Sequence, residues 1–190
     1  MKVLVVSDSS DKSSLGIKIK QDLREFLKGS GHIVSDFDIQ KDDLHYCVGC
    51  FGCWLKTPGK CMFDDMSSNI NQAYIGSDIA VFVSPVKYGC YTPAIRRALD
   101  RAVPNVLPFF KTVNGELHHA PRYKKYPNFV TFGYGESITA EEEETFRSLS
   151  NANAINFQAD KAQTYIGRKE TEVGDILKAF DKYIKECELR

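Results

Sequence analysis

The chain has 190 residues, 43% of them apolar and 26% charged, which is the size and mix of one globular domain. Its 25 Lys and Arg balance 25 Asp and Glu, which argues against the basic excess of a nucleic-acid binder and against the field of a strongly acidic electron carrier. No apolar run reaches the length of a membrane span, and residues 3–6 are too short a run for a secretory leader.

Short apolar runs alternate with helical patterns along the chain. Residues 2–7 read as a buried strand, continuous in Val and Leu, and 14–28 as a helix with Leu15, Ile19, Leu23, Phe26 and Leu27 on one face. Residues 32–39 form a weaker strand. A cysteine-rich segment follows, then a short helix carrying Met66, Ile70, Ala73 and Tyr74. Residues 78–84 are the clearest strand, and 93–102 a helix. Residues 103–127 read as a long irregular excursion, either functional or reaching onto a partner subunit. A fourth strand at 128–134, a helix at 140–152, a fifth strand at 162–166 and a final helix at 171–188 complete the course. Five strands separated by helices imply right-handed βαβ crossovers and a parallel sheet covered on both faces. In such a sheet a ligand sits beyond the carboxyl ends of the strands, at the switch point. The loops 8–14, 85–92 and 133–139 lie there.

With Ser7, the first of these loops opens a helix and carries five serines and Lys12, donors suited to a phosphate at a helix N-terminus. Asp8 and Asp11 oppose an anion, and the same residues also suit an ordinary capped turn. In the second loop Pro85 and Gly89 set a tight exit from the strand, and Tyr88 and Tyr91 offer flat faces to a ring. Asp64 and Asp65 read as caps of the helix that follows, and Glu141 to Glu144 as its counterpart for a later helix. His118 and His119 are adjacent and so point apart, which fits a solvated or interfacial role rather than a shared metal.

Of six cysteines, Cys47, Cys50, Cys53 and Cys61 fall in one window of spacing Cys-x2-Cys-x2-Cys-x7-Cys. The expected setting is the cytoplasm, where thiols stay reduced. Three readings stand for these four: ligands of an iron–sulfur cluster, wrapped as in the compact ferredoxin run; free thiols retained for packing or thiol chemistry; and a zinc site, although zinc more often uses two separated pairs. Phe51 and Trp54, interleaved in the run, fit a flavin flank, a dimer seam or a local core.

The segment SPVKYGCYTPAIRRALDR, ending in Asp100-Arg101, resembles the loop-and-helix signature of NAD(P)H-dependent FMN reductases of flavodoxin-like fold. With CVGCFGCWLKTPGKCMFDDM it is similar to the branch typified by the iron–sulfur flavoproteins, and the likeness runs in order along nearly the whole chain. The resemblance implies a single flavodoxin-like domain over residues 1–190, a three-layer α/β sandwich with a five-stranded parallel sheet in the order 2-1-3-4-5. It implies FMN, with Ser9, Lys12, Ser13 and Ser14 at the phosphate, Pro85, Val86, Lys87, Tyr88 and Gly89 along the ribityl chain and ring, and Gly133, Tyr134 and Gly135 on the other side. It also implies NAD(P)H as substrate, an electron acceptor as partner, and a homodimer or homotetramer. Two features depart from the pattern: the family's first loop starts Gly-Ser and carries an Arg, where this chain has Ser7-Asp8 and no Arg, and Lys87 stands where Tyr is usual. The alternatives are an electron-transfer iron–sulfur flavoprotein, with a 4Fe–4S cluster on Cys47, Cys50, Cys53 and Cys61, and a non-catalytic flavodoxin-like module.

Overall fold

The computed structural model describes residues 1–189. Seven strands and six α-helices follow in chain order: β1 (Lys2–Asp8), α1 (Ser14–Gly29), β2 (Ile33–Ile39), α2 (Gly52–Leu55), α3 (Met66–Gly76), β3 (Ile79–Pro85), α4 (Pro93–Asp100), β4 (Val106–Val113), β5 (Glu116–Pro121), β6 (Asn128–Tyr134), α5 (Ala140–Asn156), β7 (Ala162–Gly167) and α6 (Val173–Glu188). Five strands pair in parallel in the order β2-β1-β3-β6-β7, which is the expected 2-1-3-4-5 arrangement when only the sheet strands are counted.

The unbroken apolar run of β1 follows from burial on both faces. Val3 and Val5 pack with Leu15, Leu23, Val81, Phe132 and Phe180 in one core, under α1 and α6. Leu4 and Val6 alternate into a second core with Ile70, Tyr74, Phe82, Ile95 and Phe146, under α3, α4 and α5. Edge strand β2 is only partly buried, which explains its weaker apolar pattern. On it Asp36 accepts from Arg24 of α1 at 2.6 Å.

The excursion differs from the sequence expectation. After a 3-10 turn at Val103–Asn105 it folds into an antiparallel hairpin of β4 and β5, separate from the main sheet. Its turn is Asn114-Gly115, with φ of 51° and 86°, the left-handed pair that a two-residue turn between twisted strands requires. Helix α5 runs to Asn156, four residues beyond the expected end. It starts with a capping box in which Thr139 and Glu142 satisfy each other's backbone N–H.

Candidate functional site: a cleft at the carboxyl edge and a cysteine pocket

Three loops converge where β1, β3 and β6 end. They enclose a cleft of about 520 Å³, lined by Asp11, Ser13 and Leu15 from the first, residues 85–88 from the second, and residues 134–138 with Glu142 from the third. The backbone locks the last two loops together: Pro85 lies opposite Tyr134 in the ladder, and Val86 N–H donates to the Tyr134 carbonyl at 2.8 Å. Buried Ser84 shapes the exit from β3, accepting from Thr92 N–H at 3.0 Å and donating to the Pro85 carbonyl at 2.9 Å.

Of the residues singled out in the sequence, Ser13, Pro85, Val86, Lys87, Tyr88, Tyr134 and Gly135 line the cleft. Ser9, Lys12, Ser14, Gly89 and Gly133 do not form its walls. The Ser9 hydroxyl turns to the Ile39 carbonyl at 2.8 Å, and Lys12 and Ser14 are exposed on the loop and the first turn of α1. Gly89 and Gly133 act through packing. A Cβ at Gly89, whose φ is +69°, would strike Thr145 of α5, and one at Gly133 would strike Phe146, Ile166 and Val86. Tyr91 is also a core residue, 3% exposed and edge-on to Phe146, so of the two loop tyrosines only Tyr88 is open.

The α1 end of the cleft has a feature that periodicity and spacing do not show. Asp11 folds inward over the first turn of α1. Its carboxylate accepts from the Ser13 hydroxyl at 2.6 Å and from the Tyr134 hydroxyl at 2.9 Å, close enough that a methyl on Gly16 would collide with it. Ser13 meanwhile caps the helix by accepting from Gly16 N–H at 3.1 Å. Burial, reinforced by the Asp11 charge, pushes the Tyr134 hydroxyl well above the ordinary tyrosine range, so it remains a donor. Beneath the loop, buried Lys20 donates to the Asp8 carbonyl at 2.9 Å. Glu136 and Glu142 complete the cleft wall, and Lys20, which no sequence pattern singles out, supports the loop from behind.

The cysteine segment wraps the far end of α4. Cys47, Cys50, Cys53 and Cys61 line one small pocket of about 40 Å³ together with Phe63 and Arg101. Arg101 is the organising residue. Its guanidinium pairs with Asp65 at 2.9 Å, with side chains 1% and 9% exposed. It also donates to the His45 carbonyl, the Ser67 hydroxyl and, at 3.3 Å, the Cys61 sulfur. Asp65 caps α3 as expected, accepting from Ser67 N–H. Phe51 stacks on Trp54 at 5.2 Å, and the Trp54 indole N–H donates to the Val106 carbonyl at 2.9 Å, tying the segment to the root of the hairpin. Burial and then the neighbouring cysteines push the Cys53 thiol up. Four thiols beside a buried cation are the kind of ligands that an iron–sulfur cluster takes. Among the described residues no group of three His, Cys, Asp or Glu side chains is arranged to hold a single metal ion, and the pocket has room for a few waters rather than a cuboidal cluster.

The two histidines of the hairpin point apart as expected. His118 lies between Glu116 and Asn156, and His119 packs on Trp54 and Phe110.

A doubly wound parallel sheet with an open cleft at its switch point defines an α/β protein of flavodoxin-like architecture. The chain belongs to the NADPH-dependent FMN reductase family, whose model matches residues 1–157. Among curated proteins it is 28% identical over 104 residues to an iron–sulfur flavoprotein of Archaeoglobus fulgidus, covering 55% of this chain and 46% of that one; the match thus spans about half the length of that relative. The fold is shared with an azoreductase from Bacillus anthracis str. Sterne, at TM-score 0.65 and 14% identity over 100% of both chains. It is also shared with an FMN-dependent NADH-azoreductase from Bacillus anthracis str. Ames Ancestor in complex with FMN, at TM-score 0.63 and 14% identity over 98% and 97% of the two chains.

Proposed function

We propose that this chain, acting as a single flavodoxin-like unit, binds FMN in the carboxyl-edge cleft and oxidises NAD(P)H there for a separate electron acceptor. The observation that carries this reading is the convergence of three loops on one cleft of about 520 Å³, within the volume range of cofactor sites. FMN supplies reversible hydride chemistry. The chain supplies binding and orientation. Lys12, Ser13 and Ser14, with the N–H groups that open α1, are assigned to the phosphate, and Ser9, held by the Ile39 carbonyl, would have to turn to join them. Residues 85–88 are assigned to one side of the ring and ribityl chain and Tyr134 and Gly135 to the other, with Gly89 and Gly133 packing the loops behind them. The test is titration of flavin-free protein with FMN, followed by NADH and NADPH oxidation. A 1:1 yellow complex that is bleached by either nucleotide supports the reading, and absence of flavin binding overturns it.

A second reading is favoured by the gathering of four cysteines around one pocket beside Arg101. In it Cys47, Cys50, Cys53 and Cys61 hold a 4Fe–4S cluster that exchanges single electrons with the flavin. Protein prepared without oxygen should then contain about four iron and four sulfide per chain, and Cys61→Ser should remove the brown colour while sparing the yellow. Iron-free protein with FMN bound leaves a plain flavin reductase.

The assembly assigned to the chain is a homodimer or homotetramer. Phe109, Phe110 and Leu117 of the hairpin stand exposed, as do Phe51 and Leu55 of the cysteine segment, and apolar side chains gathered this way favour a covered surface. Light scattering that returns the 21.4 kDa of one chain contradicts this. The assigned compartment is the cytoplasm, which suits six free cysteines. No described helix is long and apolar enough to cross a membrane.

A further inference from the structure

A second open groove, of about 570 Å³, adjoins the cleft on the side of α4. Lys87 and Tyr88 line both, and Tyr46, Arg96, Arg97 and Asp100 line only the groove. The ridge between the two is rigid. Lys87 and Cys90 exchange backbone hydrogen bonds of 2.9 Å in each direction, and Tyr88-Gly89 closes the turn with φ of 51° and 69°, both in the left-handed region. Tyr88 is consequently held upright and 92% exposed, although it is a large aromatic residue in a conformation that only a fixed turn sustains.

The two cavities differ in charge. The cleft wall carries Asp11, Glu136 and Glu142 against Lys87, whereas the groove carries Lys87, Arg96 and Arg97 against Asp100. Lys87 and Arg96 are exposed, and neither takes part in an ion pair among the described residues. Arg97 is fixed differently: it donates to the Lys41 and Leu44 carbonyls at 2.8 and 2.9 Å and lies over the Tyr46 ring at 5.2 Å, while its Nε is buried with no hydrogen-bond partner. The groove thus offers two free cations and the open face of Tyr88, next to a cleft whose wall is mostly acidic.

We propose that this groove receives the phosphate-bearing part of the nicotinamide dinucleotide, so that the reductant reaches the flavin across the Lys87–Tyr88 ridge from the α4 side. This rests on the reading of the cleft as the FMN site. The reasoning is electrostatic: with the N-terminus of α1 taken by the FMN phosphate, a second ligand with several negative charges is drawn to the basic groove rather than to the acidic remainder of the cleft wall, guanidinium groups suit phosphate oxygens, and an open tyrosine face suits a purine or pyridine ring.

The decisive variant is Arg96→Glu, because Arg96 is exposed and unpaired, whereas Arg97 also holds the backbone of residues 41–44. NADP⁺, which is redox-inert toward oxidised protein, is titrated calorimetrically into the full chain with and without FMN, at low and at moderate salt. The expected result is at least about a tenfold rise in the NADP⁺ dissociation constant, from loss of one charge-assisted contact and gain of a repulsive one. A weaker salt dependence in the variant and an unchanged FMN dissociation constant are expected alongside it. An unchanged NADP⁺ constant in the variant, or no NADP⁺ binding by the parent chain, overturns the proposal. It is also overturned if Arg96→Glu alters only the KM of an anionic quinone such as a naphthoquinone sulfonate, since the groove would then belong to the acceptor. Failure of the FMN reading is seen separately, as absence of flavin absorbance, and calorimetry on the flavin-free chain still reports on the groove.

Discussion

Replacing Asp11 by Asn should tighten FMN binding. In the structure the Asp11 carboxylate lies over the first turn of α1, accepting from Ser13 at 2.6 Å and Tyr134 at 2.9 Å, where the proposed site needs a phosphate. At a separation of about 5 Å and an effective dielectric of about 20, two unit charges repel by about 3 kcal/mol. Asp11 is partly exposed, and solvent screening lowers this to about 1–2 kcal/mol, or about 5- to 30-fold in affinity. Asn keeps a carbonyl oxygen that can accept from both hydroxyls, so the loop should keep its shape. The assay is quenching of flavin fluorescence on titrating the flavin-free chain, with FMN and riboflavin measured in parallel. The expected result is a dissociation constant for FMN lower by that factor and one for riboflavin unchanged, because riboflavin has no phosphate. An FMN constant that is unchanged or higher refutes the reasoning, and equal tightening of both ligands places the effect on the ring.

Lys12→Ala should weaken FMN binding by about three- to tenfold while leaving riboflavin alone, as expected for an exposed cation facing a phosphate; equal loss for both ligands would assign Lys12 to the loop's structure. Arg101→Ala should destabilise the chain by about 3–5 kcal/mol, because it leaves Asp65 unpaired in a site where the two side chains are 9% and 1% exposed. For a chain of this size that is a fall in Tm of roughly 6–20 °C, and a melt displaced by less than about 2 °C would show that the pair is replaced by water at little cost. Acid should destabilise the fold through Asp78 and Glu143. Burial raises Asp78, but the Lys125 ammonium and Lys2 N–H outweigh it, and Arg168 and Arg147 lower Glu143. Carboxyls with depressed folded values contribute stability above the unfolded carboxylate range and lose it as pH falls through the folded values. The urea midpoint should therefore drop between about pH 5 and pH 3, and Glu143→Gln should flatten part of that drop; identical pH slopes would remove Glu143 from the account.

The sheet was legible in the sequence because burial on both faces leaves a mark on composition. Residues 3–6, 79–83 and 129–132 are nearly all apolar, and the alternation with amphipathic helices leaves parallel pairing as the economical topology. The site loops were legible for the same reason: in a sheet of this kind, chain order places them at one edge. The hairpin β4–β5 has a local turn signal in Asn114-Gly115, but its strands lack a regular apolar alternation because Phe109, Phe110 and Leu117 are exposed, and the segment reads as irregular. The inward turn of Asp11 depends on the Tyr134 hydroxyl, 123 residues away in sequence, and the role of Arg101 depends on Asp65, Ser67 and Cys61 meeting at the end of α4. Likewise, the opposite charge of the cleft and its neighbouring groove exists only once Lys87 and Arg96 are set on one side of the Tyr88 ridge and Glu136 and Glu142 on the other. Periodicity records which face of an element is buried, and so determines the fold; a charge pair or a cavity wall records which residues meet across elements, and that was decided by tertiary packing.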